Sequence, residues 1–283
     1  MHTITSHSGL IATISEKGAE LISLANKNGK EFIWEGNPDF WGKHSPVLFP
    51  IVGTLKNNSY EYDGNSYTLS RHGFARDLTF SVIQKSKDSI AFSLSDNAQT
   101  LAVYPFHFEL VITYTLDQDS LHIAYKVSNK NTVNLPFSIG AHPAFALSEN
   151  FENYSLLFPK DEKLQVHPLE NDLISNKMET ISLQNHELPL HYKLFENDAL
   201  VFKTIESKTI TILKDQEPQL SVRFDGFPNL GIWTKNHAPF LCIEPWFGYS
   251  DSASANGKIS EKEGIQILKP NEEFENSIVI ALF

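Results

Sequence analysis

The sequence predicts an all-β protein, and more specifically a large antiparallel β-sandwich. Two observations lead to this prediction: apolar and polar residues alternate with a period of two in many short stretches, and helical periodicity is scarce. The clearest alternation runs from Phe106 to Asn129, where DQDS interrupts it and predicts a hairpin with one buried face per strand. Many short strands joined by tight turns favour a sandwich over alternating strand–helix units.

Turn-forming residues divide the other strand-like stretches. NKNGK at 26–30 and Asp63-Gly64 within YEYDGNSYTLS are typical of hairpin turns, because these residues accept positive φ angles. One short helix is predicted in NPDFWGK, since Asn37 is a good cap and Pro38 suits the first helical turn. Further strands are predicted in LIATISEKGAELISLANKNGKEFIWEG, LTFSVIQKSKDSIAFSLSD, ALVFKTIESKTITILKD and QLSVRFDGF.

The chain is predicted to form a single domain over residues 1–283. Its length suits one large all-β unit, and it contains no interdomain linker, low-complexity tract or fixed-period repeat. The stretch from Asp161 to Asn197 has the weakest pattern and is predicted to be a long excursion from the sheets.

Composition excludes several classes of partner. The 23 Lys and Arg residues against 34 Asp and Glu residues give a formal charge of −11, which argues against nucleic acid or an anionic membrane. The N-terminus lacks a signal-peptide pattern, and no apolar run approaches the ~20 residues of a membrane span. Cys242 is the only cysteine, so we expect no intrachain disulfide and no multi-thiolate metal cluster. These features predict a cytoplasmic protein, and they leave open whether it is a monomer or a homodimer.

Several familiar functional motifs are absent. The sequence contains neither GxGxxG nor GxxxxGK[ST], so dinucleotide and P-loop nucleotide binding have no support, and the nucleophile elbow GxSxG is also missing. HELPLH at 186–191 resembles a zinc motif, but its histidines are five residues apart with Pro189 between them. A helical zinc motif needs a spacing of four without proline, so a loop with two surface histidines is predicted instead.

Three stretches place polar groups among apolar or aromatic residues: RHGFARD at 71–77, LPFSIGAHPAFAL at 135–147 and FLCIEPWFGYSD at 240–251. In the last two, His142 and Glu244 are flanked by small, aliphatic or aromatic residues. Desolvation in such surroundings raises the pKa of a carboxylate toward values useful for base catalysis. Aromatic neighbours also suit a sugar, whose C–H faces stack on rings while its hydroxyls need polar partners.

Each stretch also has a purely structural interpretation. His142 fits a hydrogen-bonded structural histidine, and Glu244 fits the partner of a buried arginine. RHGFARD fits an exposed turn in which Gly73 supplies an unusual backbone angle, and Cys242 fits a small core residue. Composition and spacing alone therefore indicate a β-rich domain with a candidate acid–base site.

Four stretches, taken in order, resemble the aldose 1-epimerase (galactose mutarotase) family, most closely its bacterial LacX-like branch. They are FWGKHSPVLFPIVGTLKNNSYEYDGNSYTLSRHGFARD, YPFHFEL, LPFSIGAHPAFAL and CIEPWFGYSD, and the resemblance covers nearly the whole chain. It implies a galactose mutarotase-like sandwich that binds a small-molecule sugar in a cleft across one sheet. The implied reaction is the interconversion of the α and β anomers of an aldose, with no metal and no organic cofactor.

The resemblance also implies roles for five residues. Glu244 would be the general base that removes the proton of the anomeric hydroxyl, and His142 the general acid that protonates the ring oxygen. His72 would bind the ring oxygen or a neighbouring hydroxyl, while Arg76 and Asp225 would hold the remaining hydroxyls.

One position departs from the family pattern. An arginine is expected just after FPIVG, where this sequence has Thr54, which cannot make the bidentate, charged contact of a guanidinium. Lys43, Lys56 and Arg71 are the candidates for compensating it. Two alternative functions therefore stay open: a hexose-6-phosphate 1-epimerase, and a carbohydrate-binding protein without catalysis on the same fold.

Overall fold

A computed structural model describes residues 1–147 and 150–283. Short strands make up most of the ordered structure. The strands are β1 (His2–Thr5), β2 (Ile11–Ile14), β3 (Leu21–Ala25), β4 (Val47–Leu48), β5 (Ser59–Tyr62), β6 (Asn65–Thr68), β7 (Ser81–Lys85), β8 (Ser89–Ser95), β9 (Phe108–Asp117), β10 (Ser120–Asn129), β11 (Leu135–Phe137), β12 (Ile139–Ala141), β13 (Ala144–Ala146), β14 (Tyr154–Leu157), β15 (Lys163–Val166), β16 (Leu169–Glu170), β17 (Leu173–Ile174), β18 (Glu179–Ser182), β19 (Glu187–Pro189), β20 (Leu200–Phe202), β21 (Thr209–Lys214), β22 (Glu217–Arg223), β23 (Asn229–Trp233), β24 (Phe240–Phe247), β25 (Gln266–Leu268) and β26 (Glu273–Leu282).

Helical structure is confined to short segments. The described residues form one α-helix, α1 (Ala98–Val103), and none of their helices is long and apolar enough to span a membrane. The 3₁₀ turns are Lys56–Asn58, Ala75–Asp77, Phe151–Asn153, Tyr192–Phe195 and Ile259–Glu261.

Two antiparallel sheets form the sandwich, which confirms the predicted fold class. The larger sheet has nine strands in the order β19-β14-β21-β22-β26-β10-β9-β8-β7. The smaller sheet has six strands: the path β20-β23-β24-β12-β4, with β13 also paired to β24. Residues from the facing sides of both sheets belong to one continuous apolar cluster. Phe247 of β24 and Phe274 of β26, for example, pack edge to face with ring centroids 4.9 Å apart.

The hairpin predicted over 106–129 is confirmed. β9 and β10 pair in register from Phe108 with Asn129 to Asp117 with Ser120, and DQDS forms the turn. The apolar residues of the alternation are buried on both strands, because a period of two places every second side chain on the core face. The turn predicted at Asp63-Gly64 is also confirmed, since both residues have positive φ angles, 48° and 74°.

The helix prediction at Asn37 is wrong. The chain makes a single turn there, in which Asn37 O accepts hydrogen bonds from the Phe40 and Trp41 N–H groups, and no further helical turn follows. The helix that does form, α1, was not predicted. Asn97 caps it by accepting from the Thr100 N–H, while the Thr100 hydroxyl accepts from the Asn97 N–H.

The stretch RHGFARD folds back against the end of β4, and Gly73 makes this close approach sterically feasible. Gly73 has a φ of 71°, and a Cβ atom there would lie 2.3 Å from Phe49 O. That oxygen accepts hydrogen bonds from the Phe74 and Ala75 N–H groups, at 3.0 and 3.1 Å. The prediction that Gly73 supplies an unusual backbone angle is therefore confirmed, and the segment is held where its side chains meet the smaller sheet.

We expect Gly73→Ala to destabilise the protein more than Gly64→Ala. Both residues have a positive φ, which costs an alanine about 1–2 kcal/mol. Only at Gly73 would the new methyl group also collide with backbone, whereas Gly64 has no atom within 4 Å of that position. Overpacking adds about 1–3 kcal/mol. Urea unfolding of both variants measures the difference, and equal losses would contradict this account of the segment.

Candidate active site

The strand β24 divides its side chains between the core and the opposite face of the smaller sheet. Leu241, Ile243 and Phe247 belong to the cluster between the two sheets. The intervening side chains, Cys242 and Glu244 among them, therefore project from the other face, because successive side chains alternate along a strand. β24 lies inside the sheet, and all eight of its residues are buried. A carboxylate on this strand is thus held on a rigid, water-poor surface.

The strand register brings His142 opposite Glu244. His142 lies between β12 and β13, which both pair with β24: Gly140 faces Trp246, and Ala144 faces Cys242. His142 Nε2 consequently lies 3.3 Å from Glu244 Oε2, although the two atoms are not aligned as a hydrogen bond. Two titratable groups from distant parts of the sequence therefore meet as a close, buried pair.

A cavity of about 280 Å³ opens over this pair. Trp41, Trp233 and Trp246 line it together with His142 and Glu244. The His142 ring stacks on Trp41 with centroids 4.8 Å apart and planes 22° apart, and Trp233 meets it edge-on at 5.9 Å. The volume is at the lower end of the roughly 300–1,000 Å³ usual for small-molecule sites, which suits a molecule of monosaccharide size.

Burial shifts the two titratable groups in opposite directions. It raises the pKa of the Glu244 carboxyl well above 4.5; the Arg71 charge opposes this shift, and the Asp198 charge adds to it. Burial also lowers the pKa of His142 to about 3, and the positive charges of Arg76 and Arg71 act in the same direction. Between these two pKa values the pair holds one proton, which resides on Glu244.

His72 lines the cavity as a neutral ring whose two nitrogens both face the protein. The Gly53 N–H donates to His72 Nδ1 at 3.1 Å, and the His72 backbone N–H donates to Gly53 O at 2.8 Å. Arg71 Nε lies 3.3 Å from His72 Nε2 as a hydrogen-bond donor. Burial lowers the pKa of His72 well below 6.5, so the ring stays neutral.

Two arginines line the cavity, and both already have carboxylate neighbours. Arg71 Nη1 lies 2.8 Å from Asp172 Oδ1, and its Nη2 lies 3.6 Å from Asp198 Oδ2. Arg76 donates from Nη2 to Arg71 O at 2.7 Å, and its Nε lies 3.7 Å from Asp77 Oδ2. Much of the positive charge at the mouth of the cavity is therefore balanced by the protein itself.

The structure brings together four of the five residues expected to form the site, but not Asp225. Asp225 lies in the turn that follows β22 of the larger sheet, where its side chain is 72% exposed and 3.4 Å from Arg223 Nε. The adjacent Phe224 and nearby Phe227 are fully buried, so they anchor the turn and leave the carboxylate in solvent. Asp225 is not among the residues that line the cavity.

Asp198 lines the cavity and was missed by the sequence analysis. It has a φ of 79° and lies two residues before β20, the strand that pairs with β23 of the smaller sheet. The only signal in the sequence is an acidic residue just before the apolar run ALVF, which is also typical of an ordinary turn.

Arg71 is the one candidate for replacing the missing arginine that lines the cavity. Thr54 itself is buried beside the cavity wall, where its N–H donates to Ser250 Oγ at 2.9 Å. Lys56 instead donates to a backbone carbonyl 3.1 Å away, and Lys43 pairs with a carboxylate at 3.2 Å.

A potential set of metal ligands also lies on this face. One ligand atom each from His142, Cys242 and Glu244 lies within 4.8 Å of the other two, and all three residues are buried. The protein offers here an imidazole, a thiol and a carboxylate on adjacent strands, a mixture of donors that occurs in zinc sites.

A buried carboxyl–imidazole pair therefore lies beneath an aromatic-lined cavity on one sheet of a β-sandwich. The chain belongs to the aldose 1-epimerase family, whose model matches residues 1–281. It is 34% identical over 280 residues to the LacX protein encoded on the chromosome of Lactococcus lactis subsp. lactis, covering 94% of each chain.

Solved structures give the same relationship. A galactose mutarotase related enzyme from Lactobacillus acidophilus matches with a TM-score of 0.94 and 34% identity, over 100% of this chain and 97% of that one. A galactose mutarotase-like protein from Lactobacillus casei matches with a TM-score of 0.94 and 31% identity over the whole of both chains.

We expect Glu244→Gln to become progressively more stable than the unmodified protein as pH rises. The folded protein keeps a proton on Glu244 that the unfolded chain releases above about 4.5, so its stability falls by up to ~1.4 kcal/mol per pH unit until the folded-state pKa is passed. Glutamine does not titrate and escapes this loss. Thermal unfolding between about pH 4 and pH 8 measures the difference.

Glu263→Gln is the matched control, with the opposite sign. Burial raises the pKa of Glu263, but hydrogen bonds from Lys203 and Tyr249 outweigh it and lower the pKa below 4.5. Its charged form therefore stabilises the fold fully above about pH 4.5. The stability deficit of the variant should grow only as pH rises toward 4.5 and should then stay constant up to pH 8. A Glu244→Gln stability difference that did not change with pH would contradict the assignment of a buried, protonated carboxyl.

Proposed function

We propose that the protein is an aldose 1-epimerase, or mutarotase, that interconverts the α and β anomers of a free aldohexose. The observation that carries the proposal is the Glu244–His142 pair, buried at 3.3 Å beneath an aromatic-lined cavity in a chain of this family. The relative described as a galactose mutarotase related enzyme supports it. We further propose that the reaction needs no metal or organic cofactor and that the protein works in the cytoplasm as a single domain.

Ring opening requires one proton to leave the sugar and another to reach it. Glu244 takes the proton of the anomeric hydroxyl as the C1–O1 bond gains double-bond character and the bond from C1 to the ring oxygen breaks. His142 donates its proton to that ring oxygen. The free aldehyde then rotates about C1–C2, and closure by the reverse transfers gives the other anomer. Each positioned group contributes about 10²–10⁴-fold.

The resting protonation of the pair matches one intermediate of this cycle. After ring opening, Glu244 holds a proton and His142 is neutral, which is also the state that burial favours in the free protein. A bound cyclic sugar therefore needs the proton on His142 first. The two side chains lie 3.3 Å apart without hydrogen-bond alignment in the free protein, so sugar binding has to bring them into line for that transfer. Since closure reverses opening, each residue acts once as acid and once as base.

The other cavity residues would hold the sugar. His72 would hydrogen-bond the ring oxygen or an adjacent hydroxyl through Nε2, in place of its contact with Arg71 Nε. Arg76 offers guanidinium N–H groups, and Asp198 accepts from hydroxyls in the role first expected of Asp225. The tryptophan faces would pack against the apolar side of the ring.

A free sugar fits the charges of the cavity better than a phosphorylated one. A phosphate group favours two or more unpaired cationic contacts. Arg71 and Arg76 both already have carboxylates within 4 Å, and Glu244 would add negative charge whenever it loses its proton.

We expect the protein to accelerate exchange between the anomers of glucose or galactose, measured by saturation-transfer NMR of the anomeric protons. Glu244→Gln should lower the rate by at least about 10²-fold, because the amide cannot accept the proton. The rate should fall without loss of the fold, which the thermal unfolding described above checks.

Two outcomes would support the alternative functions. Faster exchange of glucose 6-phosphate than of either free sugar would favour a hexose-6-phosphate epimerase. A sugar that binds in calorimetry, but whose anomers exchange no faster with the protein than without it, would favour a binding protein. Activity that survived Glu244→Gln would remove Glu244 as the base.

We expect Asp198→Asn to lower kcat/KM by about tenfold or more, because the amide is a weaker acceptor for sugar hydroxyls than a carboxylate. Asp225→Asn provides the matched control and should leave kcat/KM unchanged, because that carboxylate lies in solvent away from the cavity. The reverse pattern would show that the sugar binds elsewhere than in this cavity.

A further inference from the structure

The face of the smaller sheet that carries the acid–base pair also carries the only thiol of the chain. Cys242 lies two residues before Glu244 on β24, so its side chain projects from the same face. Its backbone pairs with Ala144, two residues after His142. The Cys242 sulfur, a His142 ring nitrogen and a Glu244 oxygen lie within 4.8 Å of one another.

These distances are close to those of a metal site. Zinc binds nitrogen and oxygen at about 2.0–2.2 Å and sulfur at about 2.3 Å, so tetrahedral ligand atoms lie about 3.3–3.7 Å apart. His142 Nε2 and Glu244 Oε2 already satisfy this at 3.3 Å, and Glu244 Oε2 has no hydrogen-bond partner among the described residues. The sulfur, within 4.8 Å of the other two ligand atoms, has to approach by no more than about 1.1–1.5 Å.

The charges of the cluster also suit a divalent cation. A thiolate and a carboxylate together carry two negative charges, and His142 binds as a neutral imidazole, so the complex with a divalent ion is neutral. Neutrality matters because the three residues are at most 7% exposed, and an unbalanced charge is costly in such a place. His142 and Glu244 line the open cavity, which supplies a route for the ion and a free fourth coordination position.

We propose that His142, Cys242 and Glu244 form a binding site for a thiophilic divalent cation such as Zn²⁺, which blocks the cavity rather than assisting the reaction. The ion would occupy the two groups that the proposed function assigns to proton transfer, so it would exclude the sugar. The inhibitory part of the inference rests on the proposed function, whereas metal binding itself does not.

Co²⁺ provides a direct test, because cobalt bound to a thiolate gives an intense near-ultraviolet charge-transfer band. Cys242 is the only cysteine, so such a band can come from no other residue of the chain. We expect one Co²⁺ per chain with this band, and displacement of the Co²⁺ by Zn²⁺ with loss of the band.

Three variants locate the site. Cys242→Ala should abolish the band, and His142→Asn should weaken binding by at least about tenfold, a loss at the low end of what even outer-shell changes cause. His186→Asn is the matched control, because His186 also faces a carboxylate, Asp161 at 3.7 Å, but is exposed to solvent. It should bind Co²⁺ as the unmodified protein does.

Activity provides a second readout. Zn²⁺ should inhibit anomer exchange competitively with the sugar, and Cys242→Ala should keep its basal rate within about twofold while losing at least about tenfold in sensitivity to Zn²⁺. If the protein exchanged no sugar, the cobalt spectrum would still decide whether the site exists. The absence of stoichiometric binding, or binding without the thiolate band, would overturn the proposal.

Discussion

The alternation of side chains along β24 is the constraint on which the rest of the molecule depends. An interior strand of a sandwich must bury one face against the second sheet, and Leu241, Ile243 and Phe247 do so. The residues between them are thereby committed to the other face, where the paired strands β16 and β17 pack near Trp246 and Trp41 packs near Cys242. The candidate site therefore lies on the face of the smaller sheet that points away from the core between the two sheets.

Burial on this face makes charged side chains costly, and it also shifts the pKa values on which acid–base chemistry depends. A buried carboxylate or imidazolium is unfavourable. Burial therefore favours the state in which Glu244 is protonated and His142 is not, so that both groups are neutral. The surrounding rings exclude water but leave the cavity open at its mouth. The same desolvation that would destabilise two independent charges makes the pair responsive to a ligand that supplies polar contacts.

Local patterns predicted much of the fold and part of the site. The hairpin over 106–129 and the role of Gly73 follow from periodicity and backbone sterics, which act between neighbours in sequence. Their apolar surroundings singled out Glu244 and His142, and the family resemblance implied their roles. That they face each other depends on the register of β24 with β12 and β13, which are distant from it in the chain. Asp198 and Asp225 both lie in sequences that are typical of turns. The pairing of β20 with β23 places Asp198 at the cavity, whereas Asp225 follows β22 of the larger sheet.

The tryptophans have a practical consequence. Three of the four in the chain, Trp41, Trp233 and Trp246, line a single cavity, and the fourth, Trp34, donates its indole N–H to Trp41 O at 2.9 Å. The tryptophan fluorescence of the protein therefore originates from residues that line the cavity and from Trp34, which contacts one of them. A bound ligand would change the polarity and quenching around these indoles, so intrinsic fluorescence would report ligand binding without a label.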